Sequence, residues 1–366
     1  MVSWLESYLY NGFLPVKISS WGILLLLTFS ALLFLRIFIS RVSKAREYQL
    51  QTKYSKIFED QLTEFIFDEE RYAEGSPDHL ELIKSLRRQI KVKLRRRVFG
   101  KAILLFHRDF KGIPEQRLEK LYRDIGMSKY AIGDLREGSW YEKAFIFTEL
   151  GQMNIAEALP IVLKYTNHYN SVLREEAQFA AVRMGGAVNI SFMADLELPV
   201  SGWQQTRIMQ ELDRVDLAQI PPFFYLLDAK NASVVAFGLK LLAKYRQVDD
   251  PEKIMAKIHD EQEEVRLAAL FCIRETEMYS AANRLIERYP KETPEVQQEI
   301  LNTLGFIGDE EVIQFLEDFL YEDTYNIAYP ATRSLVRLGF KLSPDSGIPS
   351  FNKELYKHTR YELFPG

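Results

Sequence analysis

Residues that could perform chemistry are few in this chain of 366 residues, and none belongs to a complete catalytic or metal-binding motif. The sequence has no phosphate-binding glycine loop, no His-Glu-x-x-His zinc helix, no nucleophile elbow and no EF-hand loop. The single cysteine, Cys272, excludes an internal disulfide and a thiolate zinc cluster, since both need several sulfurs. The histidines are scattered singly, without metal-ligand spacing: His79, His107, His168, His259 and His358. We therefore expect no catalytic residue, no cofactor and no metal site.

Two further patterns resemble parts of catalytic sites without completing one. His107-Arg108-Asp109 resembles the start of the protein-kinase catalytic loop, but neither an Asp-Phe-Gly segment nor a glycine-rich loop accompanies it. Adjacent acids such as Glu310 and Glu311 would need burial before they could act in acid–base chemistry. Because these pairs lie at predicted turns, solvated helix caps are the favoured interpretation.

The densest charge in the chain is basic and lies between residues 84 and 101. Nine Lys or Arg side chains occur in these 18 residues, with no acid among them. Beside a membrane, each such charge contributes about 1 kcal/mol of attraction to anionic headgroups. The alternative is a solvated helical face, or one paired with acids elsewhere in the fold. The candidate contacts to anionic lipid or to a partner are Lys84, Arg87, Arg88, Lys91, Lys93, Arg95, Arg96, Arg97 and Lys101.

An apolar stretch near the N-terminus is long enough to cross a membrane. Residues 18–35 carry no charge and the apolar run continues to Ile39, whereas a span needs roughly 20 residues. No basic leader or small-residue cleavage site accompanies it, so we predict an uncleaved anchor and not a signal peptide. Several Lys and Arg residues follow the span, which places the rest of the chain in the cytoplasm. We expect a single-pass protein of a bacterial inner membrane with its N-terminus outside.

Charge separates the part of the chain next to this span from the distal part. Residues 41–135 hold 21 basic and 15 acidic side chains, whereas residues 136–366 hold 24 basic and 35 acidic ones. The hydrophobic content of 47% excludes general disorder. Because nucleic-acid binding depends on basic surface, the acidic distal part disfavours it.

The distal part repeats with a period of 31 residues. Eight positions into each predicted first helix, an inward apolar residue recurs as Leu242, Ile273, Leu304 and Leu335. A period of this length with two apolar stripes predicts stacked helical hairpins, because one hairpin cannot bury its apolar face alone. In this register Trp203 faces the core; with Gln204 and Gln205 it could instead line a ligand groove. The residues that open the helices are Val172, Trp203, Val234, Val265, Val296 and Ile327, with Trp140 as a looser copy.

At these positions the chain resembles the HEAT family, particularly its short bacterial form. Val265-Arg266-Leu267-Ala268-Ala269 is similar to the first-helix pattern V-R-x-A-A, and residues 304–309 are similar to the link L-G-x-x-G-D. The resemblance covers about residues 139–340, although the Trp203 copy lacks the Arg and the small residues. It implies a binding solenoid whose concave face is lined by second helices.

We therefore predict an all-α chain, with an α-solenoid of HEAT-like hairpins as its largest part. The expected function is a noncatalytic, membrane-anchored scaffold or adaptor that binds a membrane-associated protein partner through the second-helix surface of residues 216–320. Acidic turns on that surface favour a basic partner. A nucleic-acid-binding HEAT-like protein is the alternative, a HEAT-like lyase is less favoured, and no small-molecule substrate is expected. The predicted parts are an extracytoplasmic N-terminus (1–17), a transmembrane helix (18–40), a membrane-proximal helical region with the basic helix (41–136), the solenoid (137–340) and a capping tail (341–366).

Overall fold

The computed structural model describes residues 14–184, 190–343 and 347–364, with side chains from Trp21 onward. Within these residues it contains seventeen α-helices joined by turns and 3-10 segments, and no strand. The predicted all-α class is therefore confirmed. Two compact units divide the chain, residues 1–130 and residues 131–366.

The first unit is built from a long N-terminal helix and the short helices that follow it. The long helix is continuous over 54 residues, roughly 80 Å at 1.5 Å per residue. The predicted extracytoplasmic segment lies outside the described residues up to position 13. The helices are α1 (Leu14–Phe67), α2 (Pro77–Gln89), α3 (Lys93–Asp109), α4 (Ile113–Asp124) and α5 (Met127–Asp134), the last of which contains the boundary between the units.

Helix α1 changes character along its length. Its apolar side chains from Trp21 to Ile39 are exposed, whereas Phe58, Leu62 and Phe65 are buried in the first unit. The exposed part is long and apolar enough to cross a membrane. Arg117 of α4 donates a hydrogen bond to the Phe65 carbonyl at 2.8 Å and stabilises the end of the helix. One helix therefore carries the candidate span and also contributes to the folded core.

The segment predicted as one basic helix forms two helices. Helix α2 ends at Gln89 and α3 begins at Lys93, and Arg96 of α3 donates to the Ile90 carbonyl in the link at 3.0 Å. Leu82 and Leu86 of α2 are buried, and Phe99 of α3 packs edge-on against Phe58 with ring centroids 5.3 Å apart. The nine basic residues therefore belong to two helices and a link, not to one continuous face.

The second unit is a stack of helical repeats. Seven of its described helices are first helices of repeats. These are the long helices, of 11 to 14 residues, that lie between residues 140 and 337. The helices are α6 (Trp140–Gln152), α7 (Leu159–Val162), α8 (Ser171–Arg183), α9 (Gly202–Leu212), α10 (Ala232–Lys244), α11 (Pro251–Ala256), α12 (Glu263–Glu275), α13 (Ala282–Arg288), α14 (Pro294–Ile307), α15 (Glu310–Glu317), α16 (Tyr325–Arg337) and α17 (Ser350–Leu363).

The helix caps show the repeat more clearly than the apolar residues do. A polar residue precedes every first helix, where a side-chain oxygen can accept the free N–H groups of the first turn; Asn170, for example, accepts from the Leu173 N–H at 3.1 Å. Successive caps are 31 residues apart, except that Asn231 follows Ser201 by 30. The caps are Ser139, Asn170, Ser201, Asn231, Gln262, Thr293 and Thr324.

The predicted register is wrong in the early repeats. The inward side chain lies three residues after the cap, as Val234 and Val265 do. In the second repeat the residue at this position is Leu173, which is buried. Val172, which was predicted to open this helix, is 48% exposed. The single 30-residue interval explains the shift. It contains Pro221-Pro222, and its second half consists of the 3-10 segments Leu217–Gln219 and Phe224–Asp228 instead of an α-helix.

Trp203 is 67% exposed, so the expectation that it faces the core is wrong. Its neighbours are buried and bonded within the solenoid. Gln204 Nε2 donates to Gln178 Oε1 at 3.1 Å, and Gln205 Nε2 donates to the Val200 carbonyl at 3.1 Å. These amides join neighbouring segments of the stack and do not line a ligand groove.

The later repeats match the predicted pattern. Leu242, Ile273, Leu304 and Leu335 are all fully buried, as expected for the inward column. Asp309 caps α15 by accepting from the Glu311 N–H at 3.1 Å. Helix α17 packs against α16, and its Tyr356 hydroxyl donates to the Phe340 carbonyl at 2.5 Å.

Cys272 lies in the core of α12, where burial raises the pKa of its thiol to about 12. We expect iodoacetamide at pH 8 to leave Cys272 unmodified in the native protein and to alkylate it in urea, because the thiolate is the reacting species. An unfolded cysteine ionises near pH 8.5, so this residue's contribution to stability falls as pH rises from about 8.5 towards 12. Intact-protein mass spectrometry measures the labelling; rapid native alkylation would show that α12 opens.

A groove on the first helices as the candidate functional site

The basic residues predicted to contact lipid or a partner are divided between structural and exposed positions. Arg87 donates to the Asp124 carbonyl at 2.6 Å, Arg95 lies 4.5 Å over the Tyr54 ring, and Arg96 lies 4.7 Å over the Tyr130 ring. These arginines hold the first unit together. Arg87 is nevertheless exposed to solvent, as are Lys84, Arg88, Lys91, Lys93 and Lys101, whereas Arg97 is half-buried.

A concave surface lies on the first helices of the third, fourth and fifth repeats. Its volume is about 420 Å³, and helices α9, α10 and α12 all contribute to it. Met209 and Phe271 supply apolar surface, and the residues around them are mainly charged. The groove is lined by Met209, Lys240, Ala243, Lys244, Arg246, Phe271 and Glu275.

The repeat places these side chains together. Lys240 and Phe271 both lie nine residues after the cap of their helix, and Lys244 and Glu275 both lie thirteen residues after it. Equal positions on stacked helices present neighbouring side chains on one surface. The groove is thus a property of the stack, because no single helix contains its residues.

The rim of the groove is more basic than acidic. Three basic side chains and one acid line it, and Arg246 is exposed. Lys244 is 2.5 Å from Asp213 Oδ1, and the Tyr245 hydroxyl donates to the same oxygen at 3.2 Å. Burial, with a smaller contribution from Asp213, raises the pKa of Tyr245 to about 12, so this hydroxyl stays a donor at neutral pH.

Basic and aromatic side chains continue along the first helices beyond the groove. The Arg274 guanidinium is 5.3 Å from the Phe271 ring centroid, and that of Arg337 is 4.2 Å from the Phe306 ring centroid. Burial, and then the nearby charges of Arg333 and Arg274, lower the pKa of Arg337. Arg274 pairs with Glu299 and with Glu275, and Arg333 pairs with Glu362 at 3.3 Å, so acids of the chain already offset part of this charge.

The second-helix surface, predicted as the binding face, is crossed by polar contacts between repeats. Lys253 pairs with Asp228 at 2.6 Å, and Arg284 pairs with Glu252 at 2.8 Å. These pairs use basic side chains of the surface and leave exposed acids such as Glu310 at its turns. It remains a second candidate surface, with the opposite charge preference to the groove.

Sequence reasoning missed the groove because it followed only apolar columns. The signal was present at positions that repeat with the same period but alternate between basic and aromatic residues, such as Lys240 and Phe271. These equivalent exposed positions can be aligned only when the first residue of each helix is known, and the polar caps mark that residue.

Comparison with known families gives one result. Residues 251–335 match the HEAT repeats family, a segment that runs from α11 into α16 and includes Arg266 and the 304–309 link. A search of curated proteins finds no match to the chain. Residues 251–335 are therefore similar to HEAT repeats, and they belong to a continuous stack of helical hairpins in an all-α solenoid fold.

Proposed function

We propose that this protein is a noncatalytic, membrane-anchored scaffold that holds a protein partner beside the cytoplasmic face of a membrane. HEAT repeats are helical modules typically used for protein interaction, which supports the general class. The groove of Met209, Lys240 and Phe271 carries the proposal, because it combines an apolar floor with charged side chains that can select a partner.

The partner segment that fits this groove is acidic with apolar side chains. Its acids would face Lys240, Lys244 and Arg246, and its apolar side chains would contact Phe271 and Met209. This charge preference is the reverse of the one expected for the second-helix surface.

The anchor in this proposal is the exposed apolar part of α1. Because the same helix ends inside the first unit, the unit would be held a short distance from the bilayer. The exposed lysines Lys84, Lys91, Lys93 and Lys101 would then lie near anionic headgroups. The cytoplasmic orientation follows from the basic residues after the span.

The groove is tested by reversing its charge in the full-length protein. We expect Lys240→Glu with Arg246→Glu to lower recovery of the cross-linked partner at least about tenfold, since like charges across an interface cost several kcal/mol. In-cell cross-linking, detergent solubilisation and quantitative mass spectrometry measure the recovery. Support requires that the cross-links join the groove to an acidic segment of the partner.

Arg284→Glu on the second helices is the matched control. It should leave recovery unchanged if the partner occupies the groove. Loss of the partner in Arg284→Glu, with normal recovery in the groove variant, would assign binding to the second-helix surface. Recovery of nucleic acid in place of a protein partner would contradict the scaffold itself.

A further inference from the structure

We propose that His107, Glu115 and Glu119 in the first unit form a binding site for a divalent transition-metal ion, with zinc as the best match. His107 lies near the end of α3, and the two glutamates are four residues apart in α4, so both face the same side of that helix. Their ligand atoms all lie within 4.8 Å of one another. The site is separate from the groove on the repeats.

The two distances from His107 to the glutamates are long for direct hydrogen bonds and match the spacing of ligand atoms around one ion. His107 Nε2 is 3.5 Å from Glu115 Oε1 and 3.4 Å from Glu119 Oε1. A charge-assisted hydrogen bond between such groups is about 2.7–2.9 Å long. A tetrahedral zinc ion with bonds of about 2.0–2.1 Å holds its ligand atoms about 3.4 Å apart. One histidine and two carboxylates are zinc ligands, and water can take the fourth position.

Burial supports the same assignment. The His107 side chain is 1% exposed, and the carboxylates of Glu115 and Glu119 are 23% and 18% exposed. Two partly buried carboxylates beside one imidazole need positive charge. Lys111 supplies one charge at 3.2 Å from Glu115 Oε1 and also donates to the His107 carbonyl at 3.4 Å, but its side chain is 53% exposed, so solvent weakens its effect. Arg123 is 3.9 Å from Glu119 Oε2, the oxygen that does not face His107.

A short link in the backbone brings the ligands together. Helices α3 and α4 are joined by residues 110–112, and Gly112 has a φ of +75°, which glycine adopts without strain. This site also explains the segment that resembles a kinase catalytic loop. Arg108 pairs with Asp109 at 3.1 Å on the surface, whereas the His107 side chain is buried. An ion at this point would hold α3 to α4, and α4 also carries Arg117, which stabilises the end of α1.

The test is metal binding by the full-length protein in detergent after removal of metal with a chelator. We expect one equivalent of Zn²⁺ to bind in calorimetry and to raise the melting temperature. Co²⁺ should give the intense visible absorption bands of tetrahedral coordination. Glu115→Gln with Glu119→Gln keeps the side-chain shapes and should weaken Zn²⁺ binding by at least about tenfold.

Two further variants keep the result interpretable. Glu81→Gln, on the exposed surface of α2, should bind Zn²⁺ like the unaltered chain. Lys111→Met removes the competing cation and should tighten binding, a result that does not depend on the folding of the glutamine variant. No Zn²⁺ binding by the unaltered protein, or equal affinity in the double variant, would overturn the site.

Discussion

Replacing Arg266 with Met is expected to lower the free energy of unfolding by about 2 kcal/mol, because two carbonyls lose their donor and a buried carboxylate keeps only Arg288 as its cationic partner. Arg266 Nε is 2.9 Å from Glu292 Oε2, and the Glu292 side chain is 1% exposed. Its Nη1 also donates to the Asp260 and Glu261 carbonyls at 3.0 and 3.1 Å. One guanidinium thus fixes the turn before α12 and joins it to the turn before α14.

Thermal unfolding of the full chain in detergent, followed by circular dichroism, measures the loss. Arg284→Met is the control: its two-point pair with Glu252 has side chains 47% and 67% exposed, so its removal should cost much less than that of Arg266. Adding Glu292→Gln to Arg266→Met should recover part of the stability, because the buried charge goes as well. Equal losses in Arg266→Met and Arg284→Met would show that burial does not distinguish the two pairs.

Arg266 is also the residue through which the sequence indicated the family most directly. Arg174 makes the same two carbonyl contacts three repeats earlier, donating to the His168 carbonyl at 2.8 Å and the Tyr169 carbonyl at 3.4 Å. The motif was visible in the sequence because the turns before these two first helices have carbonyls that an arginine satisfies. The period could be predicted from the apolar columns, which recur in the other repeats as well.

The register could not be predicted, because a constant period was assumed where the chain has one shorter interval. Pro221-Pro222 and the 3-10 turns around them remove one residue, and the error moved Val172 and Trp203 from the surface to the predicted core. Hydrophobicity alone favoured this mistake, since Val and Trp are ordinary core residues. The polar caps carry the information that corrects it.

Contacts between residues that are distant in the sequence also could not be predicted. His107 was recognised only as a lone histidine, because the search considered histidine pairs and its neighbours in space are glutamates. The break at residues 90–92 was missed because a link without Gly or Pro carries no strong stop signal. In both cases the deciding contacts are made with other helices.

Gly305→Ala is expected to destabilise the last repeats by about 1–3 kcal/mol, although alanine favours a helix by about 1 kcal/mol over glycine. A Cβ at this position of α14 would lie 2.6 Å from the Ser334 Cβ and 2.7 Å from its Cα on α16. Ser334 is buried, and its hydroxyl donates to the Leu301 carbonyl at 2.7 Å. The clash involves backbone, so only separation of the two helices relieves it, and Gly305→Leu should unfold this pair.

Gly202→Ala is the matched control, since a Cβ there would meet nothing within 4 Å. Hydrogen exchange followed by mass spectrometry should show faster exchange in α14 and α16 of Gly305→Ala and unchanged exchange in α9 of Gly202→Ala. A Cβ added at Gly151 would likewise lie 2.7 Å from the Ala180 Cα. Close contact between first helices therefore recurs at both ends of the stack. If Gly305→Ala left exchange unchanged, α14 and α16 would be further apart than this contact requires. The first glycine of the L-G-x-x-G-D link, Gly305, is therefore explained by the close spacing of first helices. The outer surfaces of first helices also form the proposed groove.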